Sequence, residues 1–156
     1  TVFRHGKKIS AGRAMNDVVI NKAGMSRLIE LEVNIDGQFV HRQRSDGLIL
    51  TTPTGTTAYA LSAGGPILHP TLDAITLVPI CPHTLSNRPI AIRSNSIVEI
   101  TLVHCEDAGI HLDGQLQLAL EAGDKLIVQR DEKTVSLLHP LGHSHYDMLR
   151  QKLNWG

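Results

Sequence analysis

Aromatic side chains are scarce in this chain, 3% of 156 residues, and no apolar run approaches the ~20 residues that a membrane-spanning helix needs. With hydrophobic residues at 42%, such a sequence reads as soluble and globular, able to bury one sizeable core with at most a small appendage. A charge excess is missing too. Fifteen basic and fifteen acidic residues cancel, which removes the electrostatic case for a nucleic-acid or membrane partner. Cysteine is limited to Cys81 and Cys105. These could pair geometrically, but they read better as reduced thiols of a cytosolic interior, and a metal site would need more ligands beside them. The opening TVFRHGKKIS is not a signal peptide, so a cytoplasmic location is expected. Two nucleotide-binding patterns are absent as well. Without GxxxxGK[ST] there is no Walker A loop, and without GxGxxG a Rossmann fingerprint has no support.

What is present is concentrated between Ser45 and Pro70, SDGLILTTPTGTTAYALSAGGPILHP. Leu48, Ile49 and Leu50 carry the signature of a short buried strand, and Pro53 with Gly55 stops it in a loop holding Thr51, Thr52, Thr54, Thr56 and Thr57. A helix is expected over Ala58 to Ala63, with Thr56 or Thr57 as its N-cap and Gly64-Gly65-Pro66 as its stop. Strand, hydroxyl loop and helix start would make a cradle for phosphate or ribose oxygens, with Gly55 allowing a ligand close to the backbone. The cradle has no phosphate-clamping lysine. Asp46, just before the strand, suits sugar hydroxyls or an exocyclic amine. The plainer alternative is a capped turn rich in threonine.

Elsewhere the chain reads as strands. Ile29, Leu31, Val33 and Ile35 alternate with Glu30, Glu32 and Asn34, then Asp36-Gly37 turns the chain and Phe39-Val40 starts the return. Further strands are expected over Asp17 to Ile20, Ile75 to Ile80, Ile90 to Ile92, Ile97 to Val103, Gly109 to Leu112, Gln115 to Leu120, Lys125 to Gln129 and Val135 to Leu138. Short strands at this spacing predict a mainly β fold, a β-sandwich. Asp113-Gly114 repeats the hairpin logic, so Asp113 reads as a turn former. At the C-terminus Ser144 and Asp147 form a capping-box pattern, and Tyr146, Leu149 and Leu153 fall on one helical face. His139, His143 and His145 straddle Pro140 and Gly142 with no accompanying carboxylates, and a solvated loop is expected there.

The run TTPTGTTAYALSAGGPILHP, with SDG before it and Asn16-Asp17 in MNDVVI upstream, resembles the C-terminal half of bacterial NAD kinases. The segments Asn87 to Pro89 (NRP) and Leu112 to Gln115 (LDGQ) are similar too, so the likeness covers nearly the whole chain. Position 56 is Thr where Ser is common, which keeps the hydroxyl. The resemblance implies a β-rich NAD-binding domain over residues 1–139, with a helical tail over 140–156 that returns to an N-terminal α/β domain. It also implies roles at the site. Asn16 would bond the adenine edge, Asp17 the adenosine ribose hydroxyls and Thr54 adenine again. Thr57, Ala58, Tyr59 and Ser62 would wall the nicotinamide riboside, with Ala60 and Leu61 in the same NAD-binding run. Arg27 and Arg44 would meet the diphosphate, Asp46 would come from a neighbouring subunit, and Gln115 matches a further contact position. Taken alone, Asn16-Asp17 could be a turn, Tyr59 a core or interface aromatic, and the two arginines solvated.

The family's GGDG motif, whose aspartate is the base proposed to activate the adenosine 2′-hydroxyl, does not occur here, and the chain opens on Thr1. A fragment is therefore expected, one that binds NAD without turning it over and contributes no catalytic residue and no metal ligand of its own. The implied whole enzyme is a transferase that makes NADP from NAD, using ATP or polyphosphate and a divalent metal, Mg2+ by preference, as a homodimer or homotetramer. Two other readings stay open: a lipid or sphingoid kinase relative, and a non-catalytic β-sandwich nucleotide-binding module.

Overall fold

The computed structural model describes residues 1–24, 27–84 and 86–155. Within them the strands are β1 (Val2–Arg4), β2 (Lys7–Ser10), β3 (Asp17–Lys22), β4 (Ile29–Ile35), β5 (Gln38–Ser45), β6 (Gly47–Thr51), β7 (Ala74–Ile80), β8 (Ile90–Arg93), β9 (Val98–His104), β10 (Ala108–Leu112), β11 (Gln115–Leu120) and β12 (Lys125–Val128). Two helices join them, α1 (Tyr59–Ser62) and α2 (His145–Leu153). Neighbouring strands pair antiparallel in two six-stranded sheets, ordered β2-β1-β12-β9-β4-β5 and β11-β10-β3-β6-β7-β8.

The predicted sandwich follows from which side chains face inward. Ile29, Leu31 and Val33 of β4 are fully buried, as their alternation with polar residues requires, and they meet Ile100 and Leu102 of β9 and Leu126 of β12. From the second sheet Ile20, Leu48, Leu50, Leu77 and Ile110 complete this inter-sheet core. The second sheet is covered on its outer face as well, where Val19, Ile49, Val78 and Ile80 pack with Ala60 of α1. That second covering explains the unbroken apolar run of β6, all five of whose residues are buried.

The turns obey the chemistry of two-residue hairpins. Asp36-Gly37 (φ 51° and 76°) and Asp113-Gly114 (φ 48° and 78°) both take the paired left-handed conformation that suits right-twisted strands. His5-Gly6 does the same between β1 and β2, a hairpin that the sequence reading does not include.

Three expectations need correction. Val135 to Leu138 forms no strand, and Leu138 lies 97% exposed. The strand that precedes it, β12, already has β1 and β9 on its two edges and offers it no ladder. The helix after the threonine loop is only Tyr59–Ser62, preceded by a 3-10 turn over Thr54–Thr57, and its N-cap is Ala58 rather than Thr56 or Thr57. Both hydroxyls bond back into the loop instead, Thr56 Oγ1 to the Pro53 carbonyl (2.6 Å) and Thr57 Oγ1 to the Thr54 carbonyl (3.4 Å). In α2, Ser144 caps as expected by accepting from the Asp147 N–H, and Leu149 is buried, but Tyr146 is 62% exposed, its ring tilted against His69.

Candidate functional site

Antiparallel register brings three segments to one end of the second sheet. Asp17 opens β3 opposite Thr51, which closes β6, and Val18 faces Leu112 at the end of β10. Asn16-Asp17, the threonine loop and the Asp113-Gly114 turn therefore emerge side by side, although the first and last are about a hundred residues apart. The threonine loop grips the first segment by its carbonyls. The Thr52 N–H and Thr51 Oγ1 donate to the Asn16 carbonyl at 2.9 and 3.1 Å, and Thr52 Oγ1 donates to the Met15 carbonyl at 2.8 Å.

Gly55 is glycine because of this grip. A Cβ there would fall 2.5 Å from Thr51 Oγ1 and closer still to the Asn16 carbonyl oxygen. The close approach is made by the protein's own backbone, where the sequence reading assigns it to a ligand. The threonines are spent in a similar way. Thr51 and Thr56 are buried, Thr56 Oγ1 also accepts the Leu68 N–H at 3.2 Å, and the Gly55 N–H donates to Thr52 Oγ1. The N–H groups of Thr56 and Ala58 bond to the Pro53 and Gly55 carbonyls, so the expected cradle of free helix-start amides is largely closed on itself.

A cleft of about 760 Å³ opens beside this junction. Asn16, Asp17, Thr52 and Thr54 line it, and so do Arg130 and Lys133. Asp17 is 5% exposed, and among the described residues no donor reaches its carboxylate. Burial pushes its pKa up, and the nearby Asp113 carboxylate pushes it further. Asp113 goes the other way: burial would raise it, but hydrogen bonds from the Met15, Asn16 and Asp17 amides outweigh that and hold it below the usual carboxylate range. Arg130 is committed to Asp73 (2.8 Å) and Ser94 (3.1 Å).

The remaining sequence candidates lie elsewhere. Asp46 sits at the opposite end of β6, roughly 17 Å from Thr51 at 3.3–3.4 Å per residue, and pairs with Lys22 Nζ at 3.1 Å. Arg44 is exposed on β5, and Arg27 pairs with Glu106 at 3.3 Å. One chain does not bring these three to Asn16 and Asp17. Thr57, Ala58 and Ser62 are exposed and Tyr59 is 45% exposed along the short helix, Leu61 is half-buried, and Ala60 is fully buried with its side chain in the core. Gln115 is exposed on β11 at the sheet edge.

A sequence model of the ATP-NAD kinase C-terminal domain matches residues 15–139. This chain belongs to that family. It is 56% identical over 155 residues to the NAD kinase of Thiobacillus denitrificans, covering 99% of this chain and 53% of that protein. The NAD kinase of Laribacter hongkongensis is also 56% identical, over 156 residues, or 100% of this chain and 54% of the relative. The chain thus spans about half the length of the curated relatives it matches. Among solved structures, yeast NADH kinase complexed with NADH superposes with a TM-score of 0.84 at 31% identity, over 91% of this chain and 44% of the other. An NAD kinase from Archaeoglobus fulgidus in complex with ATP gives 0.66 at 31% identity, over 76% and 46%. The NAD kinase resemblance and the β-sandwich drawn from the sequence both hold.

The residue that sequence reasoning undervalued is Asp113. An Asp-Gly pair between strands signals a turn, and nothing local signals that its carboxylate will meet amides about a hundred residues away in the chain. The Asp73, Ser94 and Arg130 network on the cleft wall has no local signature either.

Proposed function

We propose that this chain supplies the NAD-binding half of an NAD kinase, holding NAD while ATP or polyphosphate phosphorylates its adenosine 2′-hydroxyl to give NADP. The observation that carries the reading is Asp17: a nearly buried carboxylate, facing a cleft, that no donor among the described residues occupies. An ionised carboxylate accepts from a pair of vicinal hydroxyls, and an amide such as Asn16 can donate to and accept from an adenine edge. Thr54 stands beside both on the same cleft. The run from Thr57 to Ser62 would follow the dinucleotide toward nicotinamide, with Tyr59 as its exposed aromatic.

Phosphoryl transfer needs in-line placement and stabilisation of charge on the triphosphate. Here the residues serve placement. Among the described residues no group of three His, Cys, Asp or Glu is arranged to hold a metal ion, so this set does not fit a divalent ion by itself. The general base would come from a GGDG-bearing domain, and the fragment alone would bind without turnover. Exposed Leu141 and Trp155 suit the C-terminal tail, residues 140–156, to packing against such a domain. Arg27, Arg44 and Asp46 would serve a neighbour's site in a homodimer or homotetramer, with Gln115 an outer contact. A cytoplasmic enzyme is proposed; among the described residues no helix is long and apolar enough to cross a membrane.

A thermal-shift titration tests the ligand class. NAD and NADP should raise the melting temperature, while a sphingoid base or diacylglycerol should not. A melting temperature unmoved by both dinucleotides would sink the reading.

A further inference from the structure

Asp113 does more than a turn requires. The turn itself needs left-handed φ at two positions, which Asn or Gly would also adopt. At the other Asp-Gly hairpin the Asp36 carboxylate accepts a single backbone N–H, that of Ile97 at 2.8 Å. Asp113 instead accepts three successive ones: Met15 at 2.8 Å and Asn16 at 2.7 Å and Asp17 at 3.1 Å. Its own N–H returns to the Asp17 carbonyl at 3.1 Å. The segment from Ala11 to Asn16 has no regular structure. It is held by its carbonyls from the threonine loop on one side, and by its N–H groups from Asp113 on the other. Asp113 is not itself among the residues lining the cleft.

We propose that Asp113 is a positioning residue for the dinucleotide: by gathering the three amides it fixes the backbone from which Asn16 and Asp17 reach the cleft, without touching the ligand. This rests on the NAD-binding reading above. Three N–H groups converging on one carboxylate are charge-assisted bonds with little freedom left, and placement is what such a site contributes. The same carboxylate adds to the rise in the Asp17 pKa, so it touches the acceptor's charge as well as its place.

The test is Asp113→Asn, which keeps a turn-compatible residue of the same size but presents an amide donor where an acceptor is needed. Calorimetric titration of NAD should show Kd rising roughly tenfold or more. In an Asp17→Ala background the same change should cost much less, because the residue it positions is gone. Unchanged NAD affinity, or an equal loss in both backgrounds, would overturn the proposal, since damage to the fold alone does not depend on Asp17. Should the Asn variant fail to fold, NMR of the unaltered chain decides. The amide shifts of residues 15, 16 and 17 should move together as the Asp113 carboxyl titrates, below the usual carboxylate range, and independent behaviour of the three overturns the clamp. An unaltered chain that takes no NAD defeats the functional reading and this inference together. NAD bound normally by the Asn variant defeats the inference alone.

Discussion

At Gly55 the absence of a side chain decides the geometry of the site. The Asn16 carbonyl and Thr51 Oγ1 occupy the space that a Cβ would need, so the loop must move away from Asn16 if one is added. Gly55→Ala should cost about 1–3 kcal/mol of stability in chemical denaturation, and should weaken NAD binding beyond what that loss alone produces. A variant as stable as the parent would show that the loop yields without cost. The sequence marks Gly55 as a place of close approach; the identity of the approaching group is set by a β3–β6 pairing between distant segments. Asn16 and Asp17 were legible only through their resemblance to a known motif. Asp113 was legible as a turn and opaque as a clamp, because its partners are remote in sequence. Ala60 sits inside a recognised run and turns its side chain to the core.

At the scale of elements, regular alternation and turn chemistry were the readable parts. The hairpin joining β4 and β5 follows from period-two burial and an Asp-Gly pair, and both hold in the structure. Length was read poorly where the signal was helical. Ala58 to Ala63 has helix-permissive residues, yet only Tyr59–Ser62 forms a turn of helix. The hydroxyls expected to cap it already bond to carbonyls three residues back, and a Cβ at Gly65 would fall within 3 Å of the Ala60 carbonyl and Val78. Val135 to Leu138 has strand-forming residues, but β12, the strand that precedes it, is already flanked on both edges. Intrinsic preference loses in both places to what the neighbouring elements leave available.

For the molecule as a whole, acid should be more damaging than base. Asp124, its side chain 1% exposed, takes two bonds from Arg4 (2.9 and 2.8 Å) and one from the Glu121 N–H. Burial alone would raise its pKa, but these bonds with Arg4 and Glu121 bring it below the usual value. Asp36, Asp113 and Asp131 are lowered as well. A carboxyl lowered on folding contributes stability above its unfolded pKa, and that contribution is lost as pH falls through its folded value. Asp17 acts oppositely, its raised pKa favouring the fold at low pH and costing stability as pH rises through that value. His41, lowered mainly by burial, joins the acid-sensitive groups from about pH 6.5 downward. The lowered groups outnumber the raised one, so the denaturation midpoint should fall steadily below about pH 4; a flat profile there would contradict the ion-pair account. At the end of the molecule opposite Asp46 a buried carboxylate, that of Asp17, meets the cleft. Its role is tested most directly by calorimetric titration of NAD into this chain and into Asp17→Ala at neutral pH. Saturable binding that the substitution weakens by roughly 1–3 kcal/mol, with the fold intact by circular dichroism, is the predicted result. Equal affinity in the two proteins would contradict it.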